Sequence, residues 1–235
     1  MTVRHIKSDS VKINKDEALK YLGYKNRKAD EATDKLLNET ISELQEISEL
    51  KYVYRIFNIK KENNSISFDN IINIKSKDIE RLFKDCEKSA VMAATVGFQV
   101  EKRIKYYSMT NLSKGVVFDA CADAFIEALC DLAEDEIKEL AAEEGCGITF
   151  RYSPGYGDVP VSHQGEILSA LNAQKLIGLT SSDSSILIPR KSVTAFIGFS
   201  KAGILNKTNK KSCLDCNLYE SCGYATEGDG KCLTN

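Results

Sequence analysis

At 235 residues, 43% of them hydrophobic and 28% charged, the chain is long enough to bury a sizeable core without disulfide staples and has an ordinary globular composition. A formal charge of −2 and a pI near 5.9 give no global attraction to phosphate backbones, so nucleic acid is not an expected partner. No window reaches the ~18 uninterrupted apolar residues of a membrane span, and the start, Met1-Thr2-Val3-Arg4-His5, lacks an apolar signal region, so the expectation is a cytoplasmic protein with no membrane partner.

In chain order, Asn14 followed by acidic residues, with Gly23 beyond, predicts a short capped helix. Residues 30 to about 50 form a second helix, with Leu37, Ile41, Leu44, Ile47 and Leu50 on one stripe. Residues 51–60, 65–68 and 71–74 are rich in β-branched and aromatic side chains and predict strands, with a turn at Asn63-Asn64. A short helix is expected from Ser76 through Cys86. The apolar run 89–95 fits a buried strand, although periodicity alone does not separate that from buried helix.

Further helix is expected over 97–107 and over 113–144, the second with Val117, Cys121, Phe125, Leu129, Leu132, Ile137 and Leu140 on its apolar face and Gly145 and Gly147 as its stop. A strand over 148–152, a helix over 162–171 and strands at 186–188 and 192–200 complete the pattern. Strands, then helices, then strands again favour an α+β class over a doubly wound sheet.

The densest chemistry lies in Arg151-Tyr152-Ser153-Pro154-Gly155-Tyr156-Gly157, directly after a strand. Pro fixes φ, Gly permits positive φ, and the backbone between them can approach a ligand closely. Arg151 carries a planar fork suited to a carboxylate. The same residues also suit a tight strand-to-helix connection with a surface arginine. His163, just after the loop, reads as a polar residue at a helix start.

The Arg-x-x-x-Gly-Tyr-Gly pattern of Arg151 to Gly157 resembles the signature of the activation domain of cobalamin-dependent methionine synthase. Two further segments support the resemblance: Asp119-Ala-Cys-Ala-Asp123-Ala-Phe-Ile-Glu127, like the family's acidic helix, and Pro189-Arg-Lys-Ser-Val-Thr194, like its strand entry. The resemblance spans about residues 10–205. It implies an antiparallel twisted sheet with segregated helices and S-adenosylmethionine bound in a shallow groove. Arg151 would meet the methionine carboxylate, the backbone of Pro154, Gly155 and Gly157 would lie near the adenosine, and Asp123 or Glu127 would meet the ammonium. Tyr156 would face the corrin and stands as the residue nearest the chemistry.

The implied activity is accessory to a methyltransferase: inactive cob(II)alamin on a partner is reduced and trapped as methylcobalamin. The sequence shows no homocysteine, folate or cobalamin module. The expected partner is therefore a separate cobalamin-binding methionine synthase or related corrinoid protein, with an electron donor such as flavodoxin or ferredoxin.

Of eight cysteines, Cys86, Cys121, Cys130 and Cys146 sit in apolar or helical sequence and read as buried small hydrophobes. Cys213, Cys216, Cys222 and Cys232 instead follow C-x2-C-x5-C-x9-C after a lysine-rich stretch from Lys201 to Lys211. In a reducing compartment four such thiols suit a four-iron four-sulfur cluster or zinc. The expected organisation is an S-adenosylmethionine-binding domain over 1–205 and a metal-binding tail over 206–235. Two alternatives stand beside this: a metal-binding interaction module without S-adenosylmethionine chemistry, and a reactivator of a different corrinoid methyltransferase.

Overall fold

The computed structural model describes residues 1–24, 28–62 and 65–201. The Asn63-Asn64 turn, the tail cysteines and the lysine-rich stretch after Lys201 lie outside the described residues. The strands are β1 (Thr2–Ile6), β2 (Leu50–Glu62), β3 (Ser65–Phe68), β4 (Ile72–Lys75), β5 (Cys86–Thr95), β6 (Gly147–Ile148), β7 (Thr180–Ser181), β8 (Leu187–Ile188) and β9 (Ser192–Ser200). The helices are α1 (Lys15–Tyr21), α2 (Glu31–Ile47), α3 (Lys77–Leu82), α4 (Phe98–Thr110), α5 (Leu112–Glu143), α6 (Gln164–Ala170) and α7 (Ala173–Ile177).

The main sheet runs β4-β3-β2-β5-β9-β6, with β1 also on β2, and every pairing is antiparallel. The long β2 gives one edge to β5, while β1 and the β3–β4 hairpin share its other edge. β7 and β8 form a separate two-stranded ribbon. The class is α+β, as the order of elements predicts.

Both faces of the sheet are covered, which explains why β5 reads as an unbroken apolar run rather than an alternation. Ala90, Met92 and Ala94 of β5, with Ala195 and Ile197 of β9, face a core closed by α1, α2, α4 and α5. Val91, Ala93 and Phe196 face a second core closed by the β3–β4 hairpin, α3, α6 and α7. The caps are local: Asn14 accepts from the amides of Asp16 and Glu17, Asp30 from Thr33, Ser76 from Ile79 and Asn111 from Lys114.

The long helix α5 is pinned at both ends by partly buried acids. Near its C-terminal end Glu136 accepts from the hydroxyls of Tyr52 at 2.5 Å and Tyr54 at 3.1 Å and pairs with Arg4 at 2.6 Å. Burial alone would raise the Glu136 carboxyl, but these donors hold it below its usual range. Near its N-terminal end Lys114 pairs with Glu43 of α2 at 2.9 Å, and Tyr107 of α4 donates to the same carboxylate at 2.7 Å.

Several boundaries differ from expectation. Helix α3 stops at Leu82, because Phe83 turns into the second core and Cys86 already pairs with Ser200. The strand expected over 148–152 is a ladder only at Gly147–Ile148, followed by one bridge from Tyr152 to Phe196. β1 and α7 carry no sequence periodicity strong enough to announce them, the first having mixed polarity and the second only five residues. Cys86, Cys121 and Cys130 are buried and Cys146 is partly so. Burial pushes the thiols of Cys86 and Cys121 up to about 11 and about 12, so both stay protonated.

Candidate functional site

Residues 151–158 leave the sheet at Tyr152, whose amide and carbonyl bond Phe196 at 3.0 and 2.9 Å. The loop then folds on itself: Gly155 donates to the carbonyl of Val159 at 2.8 Å, and Val159 donates to that of Tyr156 at 3.0 Å. Gly155 and Gly157 have φ of +97° and +51°, which L side chains adopt poorly. A Cβ on Gly157 would also collide with the Asp78 carboxylate and the Tyr152 hydroxyl. The tyrosine hydroxyl lies 3.0 Å from the Tyr156 carbonyl and 3.2 Å from Asp78. Asp158 closes the loop by accepting from the Ser76 hydroxyl and, at 2.7 Å, from the Lys77 amide at the start of α3. Burial works against the Asp158 charge, and these donors outweigh it and lower its carboxyl.

Arg151 faces α5. Its fork reaches Glu127 at 3.0 Å, Asp131 at 2.9 Å and Glu134 at 3.1 Å, and its side chain is 17% exposed. Burial opposes the guanidinium charge, but the surrounding acids raise its pKa further. One turn up the same helix face Asp123 and Asp119 meet a second cation, Lys191, at 2.6 and 2.9 Å. Burial raises the Asp123 carboxyl, and Lys191 opposes that shift without cancelling it. Acids at 119, 123, 127, 131 and 134 thus form one stripe along α5, its two halves paired with Lys191 and Arg151.

A groove of about 670 Å³ opens beside this stripe. Its lining draws on α4, α5, the 153–156 loop, α6 and the start of β9. Of the residues expected to bind, Pro154, Tyr156 and Asp123 line it, whereas Arg151, Glu127, Gly155 and Gly157 do not. Arg151 instead pairs with Glu127 of α5, and the two glycines, both exposed, set the course of the loop. Gln164 is buried and accepts from Thr194 at 2.5 Å, placing a polar pair on the groove wall. His163 lies 3.2 Å from Glu166 at the start of α6 and does not line the groove.

Sequence reasoning assigned no role to Asp119, Lys191, Glu101 or Tyr21. The first signal was available: Asp119 stands four residues before Asp123, so both fall on one helix face. Lys191 and Glu101 come from remote segments, joined where Glu101 accepts the Arg190 amide at 2.9 Å. Tyr21 of α1 is partly buried near Glu127 and Asp123, and burial first, then those carboxylates, push its phenol up.

Among the described residues no helix is long and apolar enough to cross a membrane, and no group of three or more His, Cys, Asp or Glu is placed to hold a metal ion. No protein-family model matches the sequence, and no curated protein matches it. The fold does match a solved structure, the MetH reactivation domain bound to AdoHcy, with a TM-score of 0.64 at 12% identity, covering 85% of this chain and 78% of that one. The chain therefore has the fold of that domain.

Proposed function

We propose that the chain binds S-adenosylmethionine in the groove beside α5 and serves the reductive reactivation of a cobalamin-dependent methionine synthase. The observation that carries this reading is the convergence of Pro154 and Tyr156 with the partly buried Asp123 on one groove, in a fold shared with a domain solved with AdoHcy bound. The groove volume, about 670 Å³, is in the range of small-molecule sites, and its donors suit a nucleoside joined to an amino acid. Asp123 is assigned the ligand ammonium. Pro154 and the backbone that Gly155 and Gly157 direct are assigned the adenosine side. Tyr156 is assigned the contact with the partner's corrin, and Arg151 and Glu127 hold the loop in place. Tyr106, Met109, Leu112 and Val116 are exposed at the α4–α5 corner, an apolar surface beside the groove that suits a macromolecular partner.

With an external electron from a flavodoxin- or ferredoxin-like donor, cob(II)alamin becomes cob(I)alamin, which takes the sulfonium methyl and leaves S-adenosylhomocysteine. The chain's own task is positioning: it orients the sulfonium toward a corrin held by the partner and keeps water from the groove floor.

Calorimetric titration of S-adenosylmethionine into the anaerobically purified chain tests the reading, with saturable binding as the expected result. Only the deprotonated Asp123 attracts an ammonium, and its carboxyl is raised. Affinity is therefore expected to be full well above that raised value and to fall as pH drops through it, followed from about pH 8 downward. Asp123→Asn should weaken binding and flatten this dependence. Absence of binding by the folded chain overturns the reading.

A second part of the proposal concerns Cys213, Cys216, Cys222 and Cys232, in the segment 206–235 that follows the 1–205 domain and lies outside the described residues. Their spacing supports a metal site holding a four-iron four-sulfur cluster or zinc. Metal and acid-labile sulfide analysis should find iron with sulfide, or zinc, in near-stoichiometric amount, lost in the paired variant Cys213→Ser, Cys216→Ser. A metal-free chain after anaerobic purification excludes the site.

A further inference from the structure

We infer that Tyr152, Asp78 and Asp158 form a polar clamp that sets the position of Tyr156, and that they are positioning residues for its contact with the partner's corrin. The inference rests on the proposed role of Tyr156 in that contact.

The backbone is fixed on both sides of Tyr156. Its amide donates to the Ser153 carbonyl at 3.3 Å, and its own carbonyl accepts from the Val159 amide at 3.0 Å and from the Tyr152 hydroxyl at 3.0 Å. Two donors on one carbonyl use both of its lone pairs and fix the plane of the peptide that follows. The Tyr152 ring also meets the Tyr156 ring edge-on, with centroids 6.5 Å apart and planes at 67°. Tyr152 therefore holds Tyr156 twice, by its hydroxyl and by its ring.

Tyr152 is itself anchored at both ends and only 5% exposed. Its backbone bridges to Phe196 of β9, and its hydroxyl lies 3.2 Å from the Asp78 carboxylate in the first turn of α3. That turn is tied back to the loop by Asp158, which accepts from the Ser76 hydroxyl, from the Lys77 amide at 2.7 Å and from the Asp78 amide at 3.4 Å. The bonds thus run in a closed circuit, from Tyr156 to Tyr152, on to α3, and back to Asp158 two positions beyond Tyr156. Gly157 stands inside this circuit. A side chain there would strike both the Asp78 carboxylate and the Tyr152 hydroxyl, so only glycine lets the clamp close on the backbone.

Such a clamp bears more on transfer to the corrin than on ligand binding. The groove takes its walls from α4, α5, α6 and the start of β9 as well as from the loop, so most of its lining stays in place when the loop shifts. The corrin contact assigned to Tyr156 is made from the loop alone. A misplacement of about 1 Å at a reacting centre costs up to about 100-fold in rate. The Tyr152 hydroxyl is also dispensable for packing, because phenylalanine would fill the same place in the second core.

The chain contains no tryptophan, so Tyr156→Trp provides a single fluorescent reporter at this position. In that background Tyr152→Phe and Asp158→Ala are each expected to raise acrylamide quenching at least about twofold, as the ordered loop loosens. Asp158→Asn keeps an acceptor for Ser76 and one amide and should raise it less. With Tyr156 intact, Tyr152→Phe should bind S-adenosylmethionine within about threefold of the wild type. Its rate of methylcobalamin formation, with a methionine synthase in the cob(II)alamin state and titanium(III) citrate as reductant, should fall at least about tenfold. Asp158→Asn should recover part of the rate that Asp158→Ala loses. Where Asp158→Ala does not fold, Tyr152→Phe decides. Unchanged quenching in Tyr152→Phe, or a loss of S-adenosylmethionine affinity as large as the loss of rate, overturns the inference and leaves the binding proposal intact. Failure of the wild type to bind S-adenosylmethionine overturns the proposed function and the corrin role of the clamp, while the quenching result still decides whether the clamp positions residue 156.

Discussion

Arg151→Ala is expected to destabilise the chain by about 2–4 kcal/mol, measured as a fall in the urea midpoint at unchanged slope. Glu127 and Asp131 are four residues apart and Glu134 three further on, so one face of α5 brings three carboxylates to the Arg151 guanidinium. Removing the cation leaves like charges together in a place where Arg151 and Glu127 are only 17% and 16% exposed. Breaking a fully buried pair costs ~3–5 kcal/mol; the lower figure here reflects Asp131, which is about half exposed and partly relieved by water. Arg151→Met should cost nearly as much, because the loss is of charge and not of the aliphatic stem. A loss under about 0.5 kcal/mol, the level of an exposed ion pair, would contradict this account.

That cluster shows where sequence reading reaches and where it stops. The helical stripe of α2, the apolar face of α5 and the capping residues Asn14 and Ser76 are local signals, carried by periodicity and by side chains that bond amides two or three positions away. The class followed from the order of elements. The edge strand β1 escaped because its pairing partner lies about fifty positions away, and the sheet supplies what its own composition does not.

At the site, the tight course of the loop was legible, since Gly, Pro and Tyr in that pattern constrain the backbone wherever they fall, and Asp123 does line the groove. The partner of Arg151 was not. The choice between a ligand carboxylate and three helix carboxylates depends on the rotation of α5 against the loop, which is set by packing across the first core. Lys191 was hidden for the same reason: a lysine in a strand entry is unremarkable until Asp119 and Asp123 are placed opposite it.

Phe196→Ala is expected to cost about 3–5 kcal/mol, again from urea unfolding. The ring is fully buried, stacks on Phe68 with centroids 4.9 Å apart, and lies in the core opposite α5. Phe68 in turn meets Phe83 edge-on, so one truncation opens a void at the centre of an aromatic cluster that joins β9, the β3–β4 hairpin and the end of α3. Those elements cannot close on the void independently, because each is also held by its own backbone pairing. The ligand groove should respond differently. Phe196 secures the start of the 151–157 loop through its backbone bonds to Tyr152, which alanine retains, and the α5 acids stand on the other face of the sheet. The variant is therefore expected to lose stability while its folded fraction binds S-adenosylmethionine within about threefold of the wild type, a difference under about 0.7 kcal/mol. A parallel loss of affinity would mean that the loop takes its shape from the second core, and not from the bridge and the Arg151 cluster.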